Sequence, residues 1–339
     1  MEKNPLVSAI VSSYNSEKFF RGKIIDLLEQ TIADQLEIIV VNSGSTQNEE
    51  EILKEFLPHP NIRYIKTEQR ESIYKAWNRG IKIAKGEFIT NANTDDRLKK
   101  NALEVLVLTL QQNPDVALVY ADQFITHSPN KGFEEVVASE KPKVYSFPDY
   151  NYFHQLDQCL VCSQPVWRAS LHFADNIWFE EKYEILGDYD FDLRITQKYQ
   201  MLHIPEPLGI FYLSPKDENV SRSDRARVLK EREKISEIYI SRYIQNTANK
   251  ELDVITAKFE RDLRLPVPAL YAWKRICLFF KPELIKERHF FSIEFIYYFT
   301  IAVLEKEDKK YRAARLYKKF LRYGKSRRIQ DKLRVLSNT

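Results

Sequence analysis

The sequence predicts an α/β fold, a mostly parallel sheet flanked by helices, followed by a helical and basic C-terminal region. Three observations predict it. Short apolar runs alternate with segments of helical spacing from Leu6 to Gln112. Those runs are apolar on both sides instead of alternating, as in strands covered by helices on both faces. Polar clusters follow three of the runs at once, at 12–15, 42–46 and 93–96, where strand ends in a parallel sheet converge on one crevice.

Taken in order, Leu6 to Ser12 reads as a strand, and Glu17 to Gln30 as a helix with Phe20, Ile24, Leu27 and Leu28 on one side. Leu36 to Val41 is a continuous apolar strand, Asn48 to Phe56 a helix, and Ile62 to Ile65 a third strand. Ser72 to Ala84 is a helix with Ile73, Ala76, Trp77, Gly80, Ile81 and Ala84 inward, and Phe88 to Thr90 a fourth strand. A helix from Asn101 to Gln112 stops at Asn113-Pro114, and Val116 to Tyr120 is a strand. Ile125 to Tyr145 reads as a surface excursion, and Cys159 to Arg168 returns to the core. A helix follows from Asp188 to Tyr199, then a strand-turn-strand from Leu202 to Leu213 and a charged helix from Ser223 to Arg242. The division falls at 225/226, within a boundary zone of 222–250.

Composition narrows the class. At 339 residues, 44% hydrophobic and 29% charged, the chain has the makeup of a soluble globular protein of one or two domains. Eight glycines argue against Gly-rich phosphate loops. Cys159, Cys162 and Cys277 make no disulfide framework; the CxxC lacks a second pair to complete a zinc site, and buried free thiols are expected. The N-terminus reads as a strand and not a signal peptide, and no apolar run reaches the ~18 residues of a membrane span. A reducing cytoplasm fits this usage. The formal charge of +4 hides an asymmetry: from Lys309 onward twelve Lys or Arg face one acid, Asp331, so this stretch carries +11 and the first 308 residues −7. With Tyr311, Leu316, Tyr317, Phe320 and Leu321 at helical spacing, and the apolar run His289 to Leu304 before it, this region reads either as a membrane-surface helix or as helices packed on protein. A nucleic-acid arm is set aside, because these apolar residues follow helical spacing.

Asp95 and Asp96 stand adjacent after a strand, and adjacent carboxylates repel. A fold keeps such a pair at a strand end when a cation or a substrate hydroxyl uses it; the alternative is a solvated turn.

Five motifs in order resemble family-two glycosyltransferases of the GT-A fold over about residues 5–221. They are Val7 to Asn15, Glu37 to Thr46, Ser72 to Gly80, Gly187 to Arg194 and Ile204 to Leu208; the run from Lys85 to Leu98 adds the arrangement around the family's metal-binding acids. A softer likeness, Pro165 to His172, is to transferases of surface polysaccharides. The resemblance implies a nucleotide-sugar donor, inversion at the anomeric carbon, a glycan or lipid-linked acceptor, and Mg²⁺ or Mn²⁺. It puts Asp96 on the metal, Asp95 near the ribose, and Ser12, Tyr14, Asn42, Ser43 and Asn78 on the donor. Asp188 takes the place of the general base, with Asp190 starting the same helix.

Two departures stand out. Asn42 and Ser43 are neutral where the family has an Asp for uracil, so beside a UDP-sugar the thymidine and guanosine donors stay open. After the Pro-Leu segment, Phe211 to Ser214 lacks the family's metal-binding His, His203 lying upstream, and Arg222, Arg225 and Arg227 stand beyond as partners for a diphosphate. These departures support a second reading, a non-catalytic nucleotide-sugar binder or scaffold of the same fold.

Overall fold

The structure, a computed structural model, describes residues 4–147, 150, 155, 159–161, 164–215 and 224–246. The basic stretch from Lys309, the apolar run before it, Cys162, Cys277 and Arg222 lie outside the described residues. Two compact units divide the chain, Met1–Ile235 and Ser236–Thr339.

The first unit opens as the apolar runs predict. Strands β1 (Val7–Ser13), β2 (Leu36–Ser43), β3 (Ile62–Thr67) and β4 (Phe88–Asn91) run parallel, connected by helices α1 (Glu17–Leu28), α2 (Glu49–Lys54) and α3 (Ile73–Ile81). Register is set at Val7 opposite both Leu36 and Phe88. All eight residues of β2 are buried, which explains its unbroken apolar reading. Beyond the acids come β5 (Arg97–Leu98), α4 (Ala102–Gln112) and β6 (Val116–Thr126). They are followed by α5 (Phe133–Glu140), β7 (Lys143–Tyr145), β8 (Val166–Arg168), α6 (Ser170–Phe173), α7 (Gly187–Ile195), β9 (Gln200–Tyr212) and α8 (Arg225–Asn246). Among the described residues the sheet order is β3-β2-β1-β4-β8-β6-β9-β5, with β7 paired to β6.

Three stretches depart from the sequence expectation. The surface excursion carries structure of its own: β6 extends to Thr126, and α5 and β7 follow. β8 enters antiparallel between β4 and β6, three residues long, too short to show a period. The expected strand-turn-strand is one strand, β9. Its prolines, Pro205 and Pro207, fall where the pairing with β6 jumps from Ile204 to Pro207, so a bulge absorbs the missing donors.

Beneath the acidic motif lies a buried ion cluster. The Lys23 amine, from α1, donates to Asp26 Oδ2 at 3.1 Å and to Gln164 Oε1 at 2.5 Å. Asp26 in turn accepts from the Leu98 amide at 3.0 Å. Arg97 donates to the carbonyls of Thr94 and Asp96 at 2.7 and 2.8 Å and to Asn130 Oδ1 at 3.0 Å. A Cβ at Gly22 would collide with this guanidinium, so the close approach of α1 needs glycine there. Burial pushes the Lys23 amine down and the Asp26 carboxyl up, and the charge of each partner opposes the shift of the other.

Removing Lys23 takes from the buried Asp26 carboxylate its direct partner and leaves Arg97 as its remaining opposite charge. Lys23→Met is expected to lower unfolding stability by about 3–5 kcal/mol, and Lys23→Met with Asp26→Leu to recover most of it. Urea denaturation of both variants checks this; equal midpoints for Lys23→Met and the parent would show that the pair is not coupled.

Candidate active site

Strands β1, β2 and β4 end on the same edge of the sheet, and a crevice of ≈ 940 Å³ opens there. The β4 end and the turn after it form one side. Asp96 is buried; its Oδ1 accepts from the Tyr212 amide at 3.1 Å and its Oδ2 from Asn93 Nδ2 at 3.4 Å. The first bond exists because β5 pairs antiparallel with β9, Arg97 opposite Ile210, which brings the β9 backbone to the turn. Burial raises the Asp95 carboxyl, while the charges of Lys23 and Arg97 pull it down.

Two further oxygens beside the acids, Asn91 Oδ1 and Asn93 Oδ1, are buried without hydrogen-bond partners, and both residues line the crevice. With the two carboxylates they make an all-oxygen donor set, which suits Mg²⁺ or Mn²⁺. Among the described residues no cluster of three or more His, Cys, Asp or Glu could hold a metal. A site of this kind, few protein oxygens completed by substrate phosphates, is how Mg²⁺ is commonly held.

The facing wall is α7. It begins at Gly187, where a Cβ would lie 2.7 Å from the Tyr74 ring, so the helix start packs directly on that ring. The Tyr74 hydroxyl donates to the Ile185 carbonyl at 2.5 Å and to Asp188 Oδ1 at 3.3 Å, and the Tyr189 amide donates to the same oxygen at 2.8 Å. From α8 the Glu231 carboxylate accepts the amides of Glu184, Ile185 and Leu186 at 2.9, 3.1 and 2.9 Å, which fixes the loop entering α7. Burial pushes the Asp188 carboxyl up to about 6, against the downward pull of the Tyr189 and Tyr74 donors.

Of the sequence-predicted residues, Ser12, Asp95, Asp96 and Asp188 line this crevice together. Ser12 Oγ accepts from Trp77 Nε1 at 3.1 Å. Tyr14 is exposed outside the lining, its ring 4.3 Å from the guanidinium of Arg70, which does line it. Asn42 and Ser43 are buried and serve the turns: Asn42 Oδ1 accepts from the Ser45 amide at 2.9 Å, and Ser43 Oγ accepts from the Glu71 amide at 2.5 Å. Asn78 is not brought to the crevice. It clamps the backbone of Phe179, donating to the carbonyl at 2.8 Å and accepting from the amide at 3.1 Å, and borders a separate opening. Asp190 holds Arg194 at 2.9 Å instead of lining the crevice.

His203 Nε2 meets Asp122 Oδ1 at 2.8 Å, outside the lining, and Ser214 is buried outside it as well. Arg227 reaches the crevice, paired with Glu184 and, at 3.1 Å, with Asp224; Arg225 is exposed and does not. Cys159 is a half-buried free thiol on the wall.

Sequence reasoning missed Arg70 and Asp192, and it missed an aromatic wall. Phe179 stacks on Phe191 at 4.2 Å and meets Trp77 edge-on at 5.1 Å, with Tyr74 and Trp167 beside them. The available signal was Tyr74 and Trp77, one turn apart on α3; Phe179 and Trp167 join them only through the fold.

Residues 8–165 match the family model "Glycosyl transferase family 2". An uncharacterized glycosyltransferase of Methanocaldococcus jannaschii is 26% identical over 228 residues, 66% of this chain and 76% of that protein. Glycosyltransferase GlyG of Streptococcus pneumoniae is 37% identical over 108 residues, and chondroitin synthase of Escherichia coli 28% over 207. The chain spans 36% and 28% of the lengths of these last two. Among solved structures, S. aureus TarS residues 1–349 in complex with UDP superposes with TM-score 0.54 at 16% identity, covering 79% of this chain and 80% of that one. Fold, motif order and family model point the same way: over residues 8–165 this chain is similar to glycosyl transferase family 2.

Proposed function

We propose that this protein is an inverting glycosyltransferase that moves a sugar from a nucleoside-diphosphate donor to a hydroxyl acceptor in polysaccharide synthesis. One observation carries the reading: a single crevice at the strand ends sets Asp95 and Asp96, with the unpartnered oxygens of Asn91 and Asn93, opposite a carboxyl, Asp188, held at about 6. Relatives named for chondroitin, hyaluronan and colanic acid synthesis support the polysaccharide assignment. TarS, of the same fold, has been crystallised with UDP and with UDP-GlcNAc, which supports a nucleotide-sugar donor.

In this reading Asp96 would hold Mg²⁺ or Mn²⁺, with Asp95 beside it near the ribose, and the ion would supply positive charge for the departing diphosphate. The protein supplies the rest. The turn held by Arg97 and the Tyr212 amide fixes the carboxylates before anything binds. Arg70 at the crevice offers a cation to the phosphates. Asp188 accepts the proton of the acceptor hydroxyl as its oxygen attacks the anomeric carbon and the bond to the diphosphate breaks on the opposite face. The aromatic side chains beside Asp188 lower the polarity around its carboxyl, which strengthens electrostatic interactions there.

The second reading, a non-catalytic binder, draws on Ser43, whose hydroxyl is taken up by the Glu71 backbone instead of facing a nucleobase. Donor hydrolysis separates the two, because a binder gives none.

A panel of UDP-, TDP- and GDP-sugars with Mg²⁺ or Mn²⁺ should contain one that stabilises the parent by about 2.7 kcal/mol at a hundredfold excess over its Kd. Asp96→Ala should lose the metal-dependent part of that stabilisation along with transfer. Full activity of Asp96→Ala in excess metal would remove Asp96 from the metal.

A raised carboxyl that works as a base must be ionised, so the rate should climb with pH through about 6 and then level off. Asp188→Asn should lower turnover by about 10²–10⁴-fold with donor affinity nearly unchanged. Steady-state kinetics decide; if Asp190→Asn is the damaging change instead, the register of α7 assigned here is wrong.

The stretch from Lys309, outside the described residues, is proposed to hold the protein on an anionic membrane face near a lipid-linked acceptor. Among the described residues no helix is long and apolar enough to cross a membrane. Liposomes with anionic lipid should bind the full chain and release it at high salt, while a truncation ending near Glu305 binds far less and still hydrolyses donor. Equal binding of the two proteins would end this assignment.

A further inference from the structure

One turn beyond Asp188 on α7, Asp192 faces the same crevice. It is only 3% exposed, whereas Asp188 is half-buried, so Asp192 belongs to the crevice floor. Its contacts are one-sided. Gln155 Nε2 donates to Oδ2 at 3.4 Å, and the Cys159 thiol meets the same oxygen at 3.7 Å. Oδ1 has no hydrogen-bond partner among the described residues. No cation relieves the group either, since the arginine of the same helix, Arg194, is committed to Asp190 at 2.9 Å. Oδ1 is not among the sealed, unpartnered atoms of the described residues, so it opens to the crevice, where a ligand can reach it.

We propose that Asp192 binds a hydroxyl of the transferred sugar through Oδ1. This inference rests on the reading of the crevice as a nucleotide-sugar site. In that reading the sugar is bonded directly to the diphosphate, which lies on the Asp96 side, and its anomeric carbon must meet the acceptor oxygen at Asp188. The ring therefore lies between those two walls, over the floor where Asp192 sits. Trp167 and Phe191 line the same crevice and offer apolar faces to the C–H side of a sugar ring.

The chemistry of the group agrees. Both contacts fall on Oδ2, which leaves Oδ1 to the crevice. Burial first, and the Asp188 charge second, push this carboxyl well above the usual range. Asp192 can then donate to a hydroxyl oxygen or accept from its O–H, as an amide in its place can.

Calorimetry on the full chain with Mg²⁺ or Mn²⁺ tests this. The probes are UDP, TDP and GDP and their conjugates with glucose, N-acetylglucosamine and mannose. For the conjugate that the parent binds best, Asp192→Ala should weaken binding by about tenfold, the size of one well-placed hydrogen bond, and leave the matching diphosphate unaffected. Asp192→Asn should stay within about threefold of the parent for both. Unchanged conjugate affinity in Asp192→Ala overturns the proposal and leaves the residue to the acceptor. Equal weakening of the diphosphate overturns it in favour of a structural role. An Asp192→Asn variant as weak as Asp192→Ala overturns the neutral-acid chemistry. A parent that binds the diphosphates but none of their conjugates overturns the inference alone; one that binds no probe at all overturns the proposed function with it.

Discussion

Asp95 and Asp96 are adjacent in sequence and face one crevice, so their mutual repulsion has to be met by the fold before any ligand arrives. Two like charges about 4 Å apart repel by about 4 kcal/mol at an effective dielectric of about 20, a large share of the stability of an ordinary domain. The structure opposes this from behind with Lys23 and Arg97, both buried, and balances those cations with Asp26. Arg97 does more than add charge. By donating to the Thr94 and Asp96 carbonyls it fixes the backbone of the turn, and through β5 it registers that turn against β9. The position of the acids thus depends on α1, β5 and β9 together, three elements far apart in the chain.

The two sides of the crevice differ in what surrounds their carboxylates. On the β4 side burial raises Asp95, and the charges of Lys23 and Arg97 oppose that rise. The α7 side is aromatic, with Tyr74, Trp77, Phe179 and Phe191 packed around the helix start. Desolvation there raises the carboxyl of Asp188 to a value near that at which a base works at neutral pH. Few strongly placed groups are needed for this: Gly187 lets the helix start meet the Tyr74 ring, and Glu231 holds the loop that leads into it.

Much of this was legible in the sequence where the pattern is local. The four parallel strands, their helices and the convergence of their polar ends follow from apolar runs of strand length and their spacing. What was hidden is non-local. Lys23 lies at an inward position of α1 and reads as a solvated lysine until Gln164 and Asp26 are folded around it. Asn78 sits within a motif that resembles a donor site, yet its amide is used up by the Phe179 backbone, a contact spanning a hundred residues of sequence. The prolines of β9 look like a turn because a strand normally excludes them, and only the pairing with β6 reveals the bulge that accommodates them.

The acids of α7 show how a helix sorts identical groups. Asp188, Asp190 and Asp192 are spaced by two residues, so with 3.6 residues per turn the first and third share a face and the second points away. Asp190 accordingly finds Arg194 one turn along its own face and is neutralised there. Asp188 and Asp192 share the crevice but not an environment: Asp188 keeps two donors on one oxygen and partial access to solvent, while Asp192 is more deeply buried beside a thiol and an amide. Like charges on one buried face raise each other, and burial first and the Asp188 charge second push Asp192 up. The sequence motif puts Asp188 in the place of the base with Asp190 beside it; helix period and the pairing with Arg194 set Asp190 apart from the crevice.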